Sequence, residues 1–467
     1  MPPPRRSRLR GTQKISITVR RNHPAEIRRT LELAAPVMIG LVASFGMNFV
    51  DTVMAGRLAE KDVALAALAT GGALWSAALM FAIGTLMAVQ PAVAQLDGAG
   101  RQRDAGSELR QAFWLAVALS LPYFAFMNLG GVMLGLLNVD ARIIPVADGY
   151  MKALAWGAPG MCMVFLLRFF SEGTGHTKPT MYIGLLGVVL NVPLNWVLMF
   201  GKFGLPELGA MGCGYATSIV IWMQVAMLFA YIRAHRHFRA YRPFERFEAP
   251  DFGRLLGLLR VGGPIAITIF VEGSLFVGAA LLIGRLGPVP TAGHLVAINF
   301  SALVFMVPLG LASAVTTRVG NAIGRGDPEA ARYAGLIGML IVLSTQSFSA
   351  SVMILFPEWV VGIYTSDPAI ASVAVGLLYY AAIFQFPDGI QVCSAGALRG
   401  LKDALMPMVY NIISYWLIGM LLGYYLTFSK GMGPAGMWTG MIAGLAAGAL
   451  LMSTRFFRRS AQLVRQG

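Results

Sequence analysis

Three acidic residues lie inside long apolar stretches of the chain. Asp51 follows an apolar run in FGMNFVDTVMAGRL, Glu272 lies in the middle of GPIAITIFVEGSLFVGAALLIG, and Asp388 lies in the middle of YYAAIFQFPDGIQVCSAG. A carboxylate in hydrocarbon costs about 3 kcal/mol on insertion scales, so such residues usually face a cavity or the interior of a helix bundle. We therefore expect these acids to bind and release a proton or a hard cation such as Na⁺.

The three acids also fit simpler structural roles. Asp51 could be an interfacial residue near the outer mouth, and a buried acid can be neutralised by proton uptake or by a hydrogen bond. No Lys or Arg inside a span is placed to neutralise Glu272 or Asp388, so we expect a mobile cation to be their partner. Two further acids, Glu32 and Glu172, lie at the cytoplasmic ends of apolar runs and are expected to be solvated.

Polar residues near Asp51 support the first of these candidate sites. Asn191 and Asn195 are separated by four residues and share one helix face, and Thr217 lies in the next apolar segment. Together with Asp51 they would form an oxygen-rich cluster able to hold a proton or Na⁺. The asparagines could instead serve as hydrogen-bonding contacts between packed helices.

The second candidate site has a possible partner in Gln391, which lies one turn after Asp388. Pro387 immediately precedes that acid, and Pro36 and Pro264 lie in the first and seventh apolar segments. Proline bends a helix and frees a backbone carbonyl. These positions are expected to be bends, which suit a moving helix or a carbonyl ligand, although a static kink fits equally well.

The composition indicates which elements position these residues. The 467 residues are 57% hydrophobic and only 13% charged, with a mean hydropathy of +0.66, whereas soluble domains average about 25% charged residues. A spanning helix needs about 20 apolar residues, and the long unbroken runs exclude a β-barrel. We expect an all-α membrane protein with twelve transmembrane helices, near residues 31–53, 63–95, 108–136, 142–170, 179–200, 209–232, 254–284, 291–321, 332–356, 369–397, 405–427 and 434–455.

The distribution of basic residues predicts the orientation. Only seven of the 37 Lys and Arg lie in the loops opposite the termini: Arg57, Lys61, Arg142, Lys152, Lys202, Arg285 and Lys430. The positive-inside rule then places both termini in the cytoplasm, in a multi-pass protein of the bacterial inner membrane. The same bias explains the net charge of +15 without any nucleic-acid partner.

Internal similarity predicts two halves. RRTLELAAPVMIG (28–40) resembles RLLGLLRVGGPIAI (254–267), and EGTGHTKPTM (172–181) resembles LRGLKDALMPM (398–408), at nearly the same offset. Six spans per half give parallel repeats, an architecture of transporters in which substrate is handled between the halves. The expected segments are a basic N-terminal tail (1–28), a six-helix bundle (29–232), a cytoplasmic linker loop (233–253), a second six-helix bundle (254–456) and a C-terminal tail (457–467).

Motifs of other function classes are missing from the sequence. It has no GxxxxGK[ST] motif for ATP, no HExxH or GxSxG motif, and three dispersed cysteines without zinc spacing. We therefore expect no catalytic residues, no resident metal and no cofactor. An integral-membrane enzyme acting on lipid remains an alternative, but it would need a nucleophile–base pair or a metal cluster.

The stretches FVDTVMAG, VAQLDGAGR, EGTGHTKPTM, NFSALVFMVPLGLASAVTTRVGNAIG and GALRGLKDALMP together resemble the multidrug and toxic compound extrusion (MATE) family, in its NorM-type bacterial branch. The resemblance covers roughly residues 25–455. It implies two pseudo-symmetric six-helix bundles forming a V. It also implies a monomeric antiporter that exports amphiphilic, often cationic, organic compounds in exchange for Na⁺ or H⁺. A lipid-linked precursor flippase of the same superfamily is the alternative within this class.

The resemblance also implies roles for individual residues. Asp51 matches the functional carboxylate of the first helix, and Asn191, Asn195 and Thr217 match the polar group that joins it. Glu272 and Asp388 match the acidic pair of a cation site in the second half. Two positions depart from the family pattern. Phe384 stands where a tyrosine often occurs, and Asn195 stands where some members have a second Asp, which weakens the expectation of Na⁺ at either site.

Overall fold

The computed structural model describes residues 23–58 and 60–466, and every regular element in them is helical. The remaining residues, including most of the predicted N-terminal tail, lie outside this description. The twelve main segments are α1 (His23–Ala55), α2 (Lys61–Gly98), α3 (Gln102–Asn128), α4 (Ile144–Ala155 with Gly157–Gly173), α5 (Lys178–Met199), α6 (Gly209–Ala234), α7 (Phe252–Gly284), α8 (Pro288–Gly324), α9 (Pro328–Leu355), α10 (Pro368–Gly400), α11 (Leu405–Ser429) and α12 (Pro434–Gln466).

The lengths of these helices fit membrane spans. In the described residues, eleven helices are long and apolar enough to cross a bilayer, and α4 makes a twelfth if its two parts, bent by 45°, count as one span. Helices suit apolar surroundings because every backbone N–H and C=O is satisfied within the segment. Short helices follow α3 (Gly130–Leu136) and α9 (Pro357–Gly362).

Acidic N-caps define where three helices of the second half begin. The side chain of Asp251 accepts a hydrogen bond from Gly253 N at 2.9 Å, at the start of α7. Asp327 and Asp367 cap α9 and α10 in the same way, each followed by a proline in the first turn. Such caps contribute about 1 kcal/mol each, so these helix starts are encoded locally.

Most of each apolar core lies within one half of the chain. The core of the first half uses buried residues between 55 and 241 together with Leu258 of α7, and the second half has two clusters, between 275 and 445 and between 311 and 456. Ala34 of α1 joins the last of these clusters. Helix α1 packs against α5 of its own half and α8 of the other, so it lies between the two halves.

The two halves meet along a seam of close backbone contacts. A Cβ atom at Gly84 of α2 would lie 2.3 Å from the Cα of Ala266 in α7, and one at Gly262 would lie 2.2 Å from the carbonyl oxygen of Thr85. One at Gly98 would lie 2.1 Å from the carbonyl oxygen of Asn321. All three contacts lie toward the end of the molecule where α7 begins and where α2 and α8 end. The halves are therefore closed against each other at that end.

A buried polar cluster joins the halves at the same end and corrects one expectation. Glu172 is fully buried rather than solvated. It accepts hydrogen bonds from Arg168 Nε at 2.7 Å and from Ser313 Oγ of α8 at 2.8 Å. Gln90 of α2 donates to the same Ser313 side chain at 2.8 Å. The prediction was wrong because α8, distant in sequence, covers the end of α4.

The linker between the halves packs on the first half. It contains a short 3₁₀ helix (Arg236–Ala240) and an ion pair of 2.8 Å between Glu248 and Arg110. The imidazole rings of His235 and His237 lie 4.8 and 4.7 Å from that of His176, centroid to centroid. Burial and these neighbouring imidazoles lower the pKa of His176 to about 4, so the ring is neutral at neutral pH.

Candidate functional site

The first candidate site forms where α1, α5 and α6 meet. Asn195 Nδ2 donates to Asp51 Oδ1 at 2.6 Å and to Asn191 Oδ1 at 2.9 Å. Thr217 Oγ1 donates to Asp51 Oδ2 at 3.4 Å. All four side chains are buried. The structure therefore brings together every residue that the sequence analysis placed in this cluster.

Helix geometry explains the position of this site. Asp51 lies four residues before the end of α1, about 6 Å along the axis. Thr217 lies eight residues into α6, at the same end of the molecule, which is opposite to the seam. Cys213, one turn before Thr217, is buried and lies within electrostatic range of Asp51, and the sequence analysis missed it. Its spacing of four residues from Thr217 was the available signal.

The chemistry of the first site is that of a carboxylate surrounded by neutral donors. Two amide atoms, Asn191 Nδ2 and Asn195 Oδ1, are buried without a partner. Hydrogen bonds from neutral donors stabilise an ionised carboxylate. A Na⁺ ion would need converging oxygens instead, so the amides and the hydroxyl would have to turn. The arrangement suits a carboxylate that takes up and releases a proton.

The second candidate site lies in a cavity of about 400 Å³ between the halves. Glu272 of α7 and Asp388 of α10 both line it, together with Met80, Ile83 and Met87 of α2. Most of the remaining lining is apolar and comes from α7, α8 and α10 and from the residues that follow α10. A second, larger crevice of about 2,000 Å³ lies at the seam end and contains none of these acids.

The two carboxylates of this cavity have no direct partner. In residues 23–58 and 60–466, neither Glu272 nor Asp388 accepts a hydrogen bond or forms an ion pair within 4.0 Å. Asp388 Oδ1 is buried without a partner. Buried carboxylates are rarely left in this way in proteins. The carboxylate oxygens of this site can therefore bind a proton or a cation that prefers oxygen ligands.

A buried tyrosine of another helix lies near the two acids, whereas Phe384 has no hydroxyl to offer them. The ring of Phe384 packs against those of Phe276 and Trp438, at centroid distances of 6.1 and 5.5 Å. Tyr415 of α11 is fully buried, and its hydroxyl, which has no partner in the described part of the chain, lies within electrostatic range of both acids. The sequence analysis missed this tyrosine, because it lies in a different helix from the acids.

Helix α11 presents Tyr415 through an unusual backbone. Residues Ile412–Met420 form a π-helix, and a second π-helical stretch follows at Tyr425–Ser429. Such i→i+5 segments are rare in proteins, and those that occur are often found at functional sites. The same segment carries Ser414, whose hydroxyl is also buried without a partner.

Further polar atoms without partners surround Gln391. Its Nε2 donates to Asn411 Oδ1 at 3.2 Å, whereas its Oε1 and the Nδ2 of Asn411 are unpartnered. Gln391 and Ser414 both pack on Gly448, where each would lie 3.5 Å from an added Cβ. Buried polar groups of this kind are usually satisfied by water or an ion. Gln391 thus connects the helix of Asp388 to the polar side chains of Asn411 and Ser414 on α11.

One basic residue, which lies beyond the predicted tenth span, shares the cavity of these acids. Arg399, one residue before the end of α10, extends into the cavity, and its charge acts on Glu272. Its Nη1 donates to Met87 Sδ at 3.0 Å, and its Nε has no partner. The sequence analysis missed this residue because Arg399 lies eleven residues, about 16 Å of helix, beyond Asp388. At that distance the residue resembles one that reaches toward solvent.

The three prolines lie within continuous helices. Pro36, Pro264 and Pro387 are inside α1, α7 and α10, and none of these helices is interrupted there. The interruptions occur elsewhere, between Leu86 and Val89 in α2 and at Trp156 in α4. The assignment of helix bends to the three prolines stays a prediction.

A structural metal site is not found in the described residues, since they contain no group of three or more His, Cys, Asp and Glu side chains suited to a metal ion.

A family model matches this chain twice. The MatE model matches residues 36–197 and 264–425, two segments whose starts are 228 residues apart (264 − 36). The chain belongs to the MatE family.

Similar proteins agree with this membership. The chain is 45% identical to "Probable multidrug resistance protein NorM" of Xanthomonas campestris pv. campestris, over 94% of this chain and 95% of that one. It is 40% identical to "Multidrug resistance protein PmpM" of Pseudomonas aeruginosa, over 95% and 93%. The predicted relationship to the NorM-type branch of the MATE family is therefore confirmed.

A solved structure of the MatE family has the same fold. The outward-facing conformation of a multidrug resistance MATE family transporter superimposes with a TM-score of 0.86 at 18% identity, covering 94% of this chain and 97% of that one. The predicted all-α, two-bundle MATE architecture is thus confirmed. The bounds of the two bundles and of the linker stay predictions.

Proposed function

We propose that this protein is a secondary multidrug transporter that exports amphiphilic, often cationic, organic compounds in exchange for Na⁺ or H⁺. The observation that carries the proposal is the pair of unpartnered carboxylates, Glu272 and Asp388, in a cavity between two related halves. The names of the NorM and PmpM relatives support the substrate class.

The mechanism follows from the charge of these sites. Binding of a cation neutralises Glu272, Asp388 or Asp51, and drug and cation compete directly or through the equilibrium between two arrangements of the halves. Coupling requires that each ligand binds one arrangement more tightly than the other. One charge that moves down 100 mV contributes about 2.3 kcal/mol, which supports a concentration ratio of tens.

The proposal includes a location and an orientation. The protein resides in a bacterial inner membrane as a monomer, with both termini in the cytoplasm. The seam between the halves is then at the cytoplasmic side, and the Asp51 cluster is toward the outer side. The bias of Lys and Arg toward the seam end supports this orientation.

Neither alternative gains support from the structure. A flippase for an anionic headgroup would use a cationic cavity, whereas here a single guanidinium, that of Arg399, faces two carboxylates. An enzyme acting on lipid would use a metal cluster or an activated nucleophile, and the described residues offer no group of three metal ligands.

The test is transport by the purified protein in proteoliposomes. Efflux of ethidium is followed while a Na⁺ gradient or a pH gradient is imposed separately, with the double variant E272Q/D388N as the control. Efflux driven by either gradient in the wild type, and absent in the double variant, supports the proposal. Wild-type vesicles that respond to neither gradient would refute it.

A further inference from the structure

Arg399 brings a permanent positive charge into the cavity of the two carboxylates. It lines the same 400 Å³ space as Glu272 and Asp388, and its charge acts on Glu272. Arginine is effectively always protonated in proteins. The cavity therefore contains one fixed cation beside its two acids.

The guanidinium of Arg399 is short of acceptors. Its planar fork offers five N–H donors. Among the described residues, one of these donates to the sulfur of Met87 at 3.0 Å, while Nε is buried and unpartnered. A thioether is a weak acceptor, and no carboxylate lies within the 4.0 Å of an ion pair with Arg399 in this part of the chain. The guanidinium and the carboxylates thus share a cavity and both retain unused hydrogen-bonding capacity.

The acceptor that holds Arg399 belongs to the other half. Met87 lies at the interruption of α2, next to Thr85, whose carbonyl abuts Gly262 of the seam. The contact between Arg399 and Met87 therefore bridges the two halves beside the seam. When the halves separate, Arg399 loses its sulfur acceptor, and the carboxylates are the strong acceptors that share its cavity.

We propose that Arg399 is the resident counter-cation of the Glu272–Asp388 site and competes there with the coupling cation when the halves separate at Met87. This inference rests on the proposed cation-coupled transport and adds a specificity-determining residue to it. Two ionised carboxylates and one guanidinium leave a single net negative charge. The site is therefore matched to one monovalent cation at a time.

The other groups around this cavity do not supply a competing charge. The titratable groups that line it are Glu272 from α7 and Asp388 and Arg399 from α10. Cys393 of α10 and Tyr415 of α11 are buried outside the lining, within electrostatic range of Arg399 and of the two acids, respectively. The described lining residues of α2 and α8 are uncharged. A change in cation affinity on replacing Arg399 would therefore report on that guanidinium.

The experiment measures displacement of bound ethidium from the purified, full-length protein in lipid nanodiscs. Na⁺ is titrated at fixed pH, and H⁺ is titrated separately by lowering the pH. R399Q removes a competing positive charge, so we expect the half-displacing Na⁺ concentration to fall about tenfold. If H⁺ is the coupling ion, we expect the pH at which half of the ethidium is displaced to rise by about one unit. R399K, which keeps the charge, is expected to stay close to the wild type.

Two comparisons assign the effect to this site. In an E272Q background, R399Q should no longer change the midpoint. Arg455 forms an ion pair of 2.7 Å with Asp403, and neither residue lines the cavity. The matched control R455Q should therefore leave the midpoint unchanged. M87L removes the sulfur acceptor, frees the guanidinium to compete, and should raise the half-displacing cation concentration.

The outcomes separate this inference from the proposed function. Wild-type protein that releases ethidium with Na⁺ or H⁺, while R399Q binds ethidium normally and keeps the wild-type midpoint, would overturn the role of Arg399 alone. If R399Q does not fold, a wild-type midpoint in M87L would have the same meaning. Wild-type protein insensitive to both cations would overturn the proposed function, and this inference with it.

Discussion

The two halves of the molecule surround their acids in opposite ways. Asp51 receives hydrogen bonds from the amide of Asn195 and the hydroxyl of Thr217, which are neutral and are presented by α5 and α6. Glu272 and Asp388 receive none from the described residues, and the charged group beside them is the guanidinium of Arg399. The first site supplies neutral donors to its acid, whereas the described residues of the second site supply none to Glu272 and Asp388.

This difference indicates how a repeated fold can divide two tasks. A carboxylate that already has neutral donors changes its charge by exchanging a proton and needs no further ligand. Two carboxylates without donors attract any small cation that enters the cavity. On the mechanism we propose, the first site therefore suits proton exchange and the second suits binding of a coupling cation.

The largest expected effect separates the two sites by isosteric replacement. D388N or E272Q should reduce ion-driven ethidium efflux in proteoliposomes by about a hundredfold, equivalent to about 2.8 kcal/mol, because the cation loses a counter-charge that no neutral group replaces. D51N should reduce it by about tenfold, since Asn195 can turn its unpartnered oxygen toward the new amide. Equal losses in D51N and D388N would contradict the division between the sites.

A second carboxylate should make the first site resemble the second. N195D places an acid against Asp51, at the position now 2.6 Å away. Two adjacent carboxylates do not both stay ionised without a cation between them. We expect half-maximal efflux at an about tenfold lower Na⁺ concentration than in the wild type. N195A, which removes the donor without adding charge, is the control and should gain no Na⁺ response.

The hydroxyl of Tyr415 offers a smaller test of the second site. Y415F should weaken the response to Na⁺ about fivefold, in keeping with the loss of one hydroxyl contact of about 1 kcal/mol, and should leave H⁺-driven efflux unchanged. F384Y adds a hydroxyl at the position where related proteins often have one. Restoration of the Na⁺ response in Y415F/F384Y would assign the effect to the hydroxyl. A normal response in Y415F alone would exclude it as a ligand.

The smallest effect is expected at Thr217. Its hydroxyl donates to Asp51 over a long distance of 3.4 Å, beyond the range of strong hydrogen bonds. T217V should therefore change the rate of H⁺-driven efflux by less than about twofold, because Asn195 remains the principal donor. A tenfold loss in T217V with normal protein levels would show that the hydroxyl is more important than this geometry indicates.

The sequence predicts those features in which a residue type carries a high free-energy cost in its local sequence context. An acid or an amide inside an apolar run is expensive wherever the run packs, so Asp51, Glu272 and Asp388 can be identified from the sequence. The spacing of Asn191 and Asn195 fixes their common helix face, and the long apolar runs fix the number of spans. These inferences depend on local chain geometry alone.

The features that the sequence does not predict depend on contacts between distant segments. Glu172 resembles a solvated residue at a helix end until α8 covers it. Arg399 resembles a solvated residue until its side chain turns into the cavity, and Tyr415 resembles any aromatic residue of a span. In each case the residue type fits a surface or a packing role, and its partner lies far away in the chain.

The π-helical stretch of α11 has a consequence for chain length. An i→i+5 segment contains more residues per turn than the flanking α-helix, so the direction of Tyr415 depends on the number of residues in Ile412–Met420 as well as on their types. Deleting one residue there would rotate the following residues by about 100° relative to the preceding ones. Substitutions along this span can be tolerated where single-residue deletions are not.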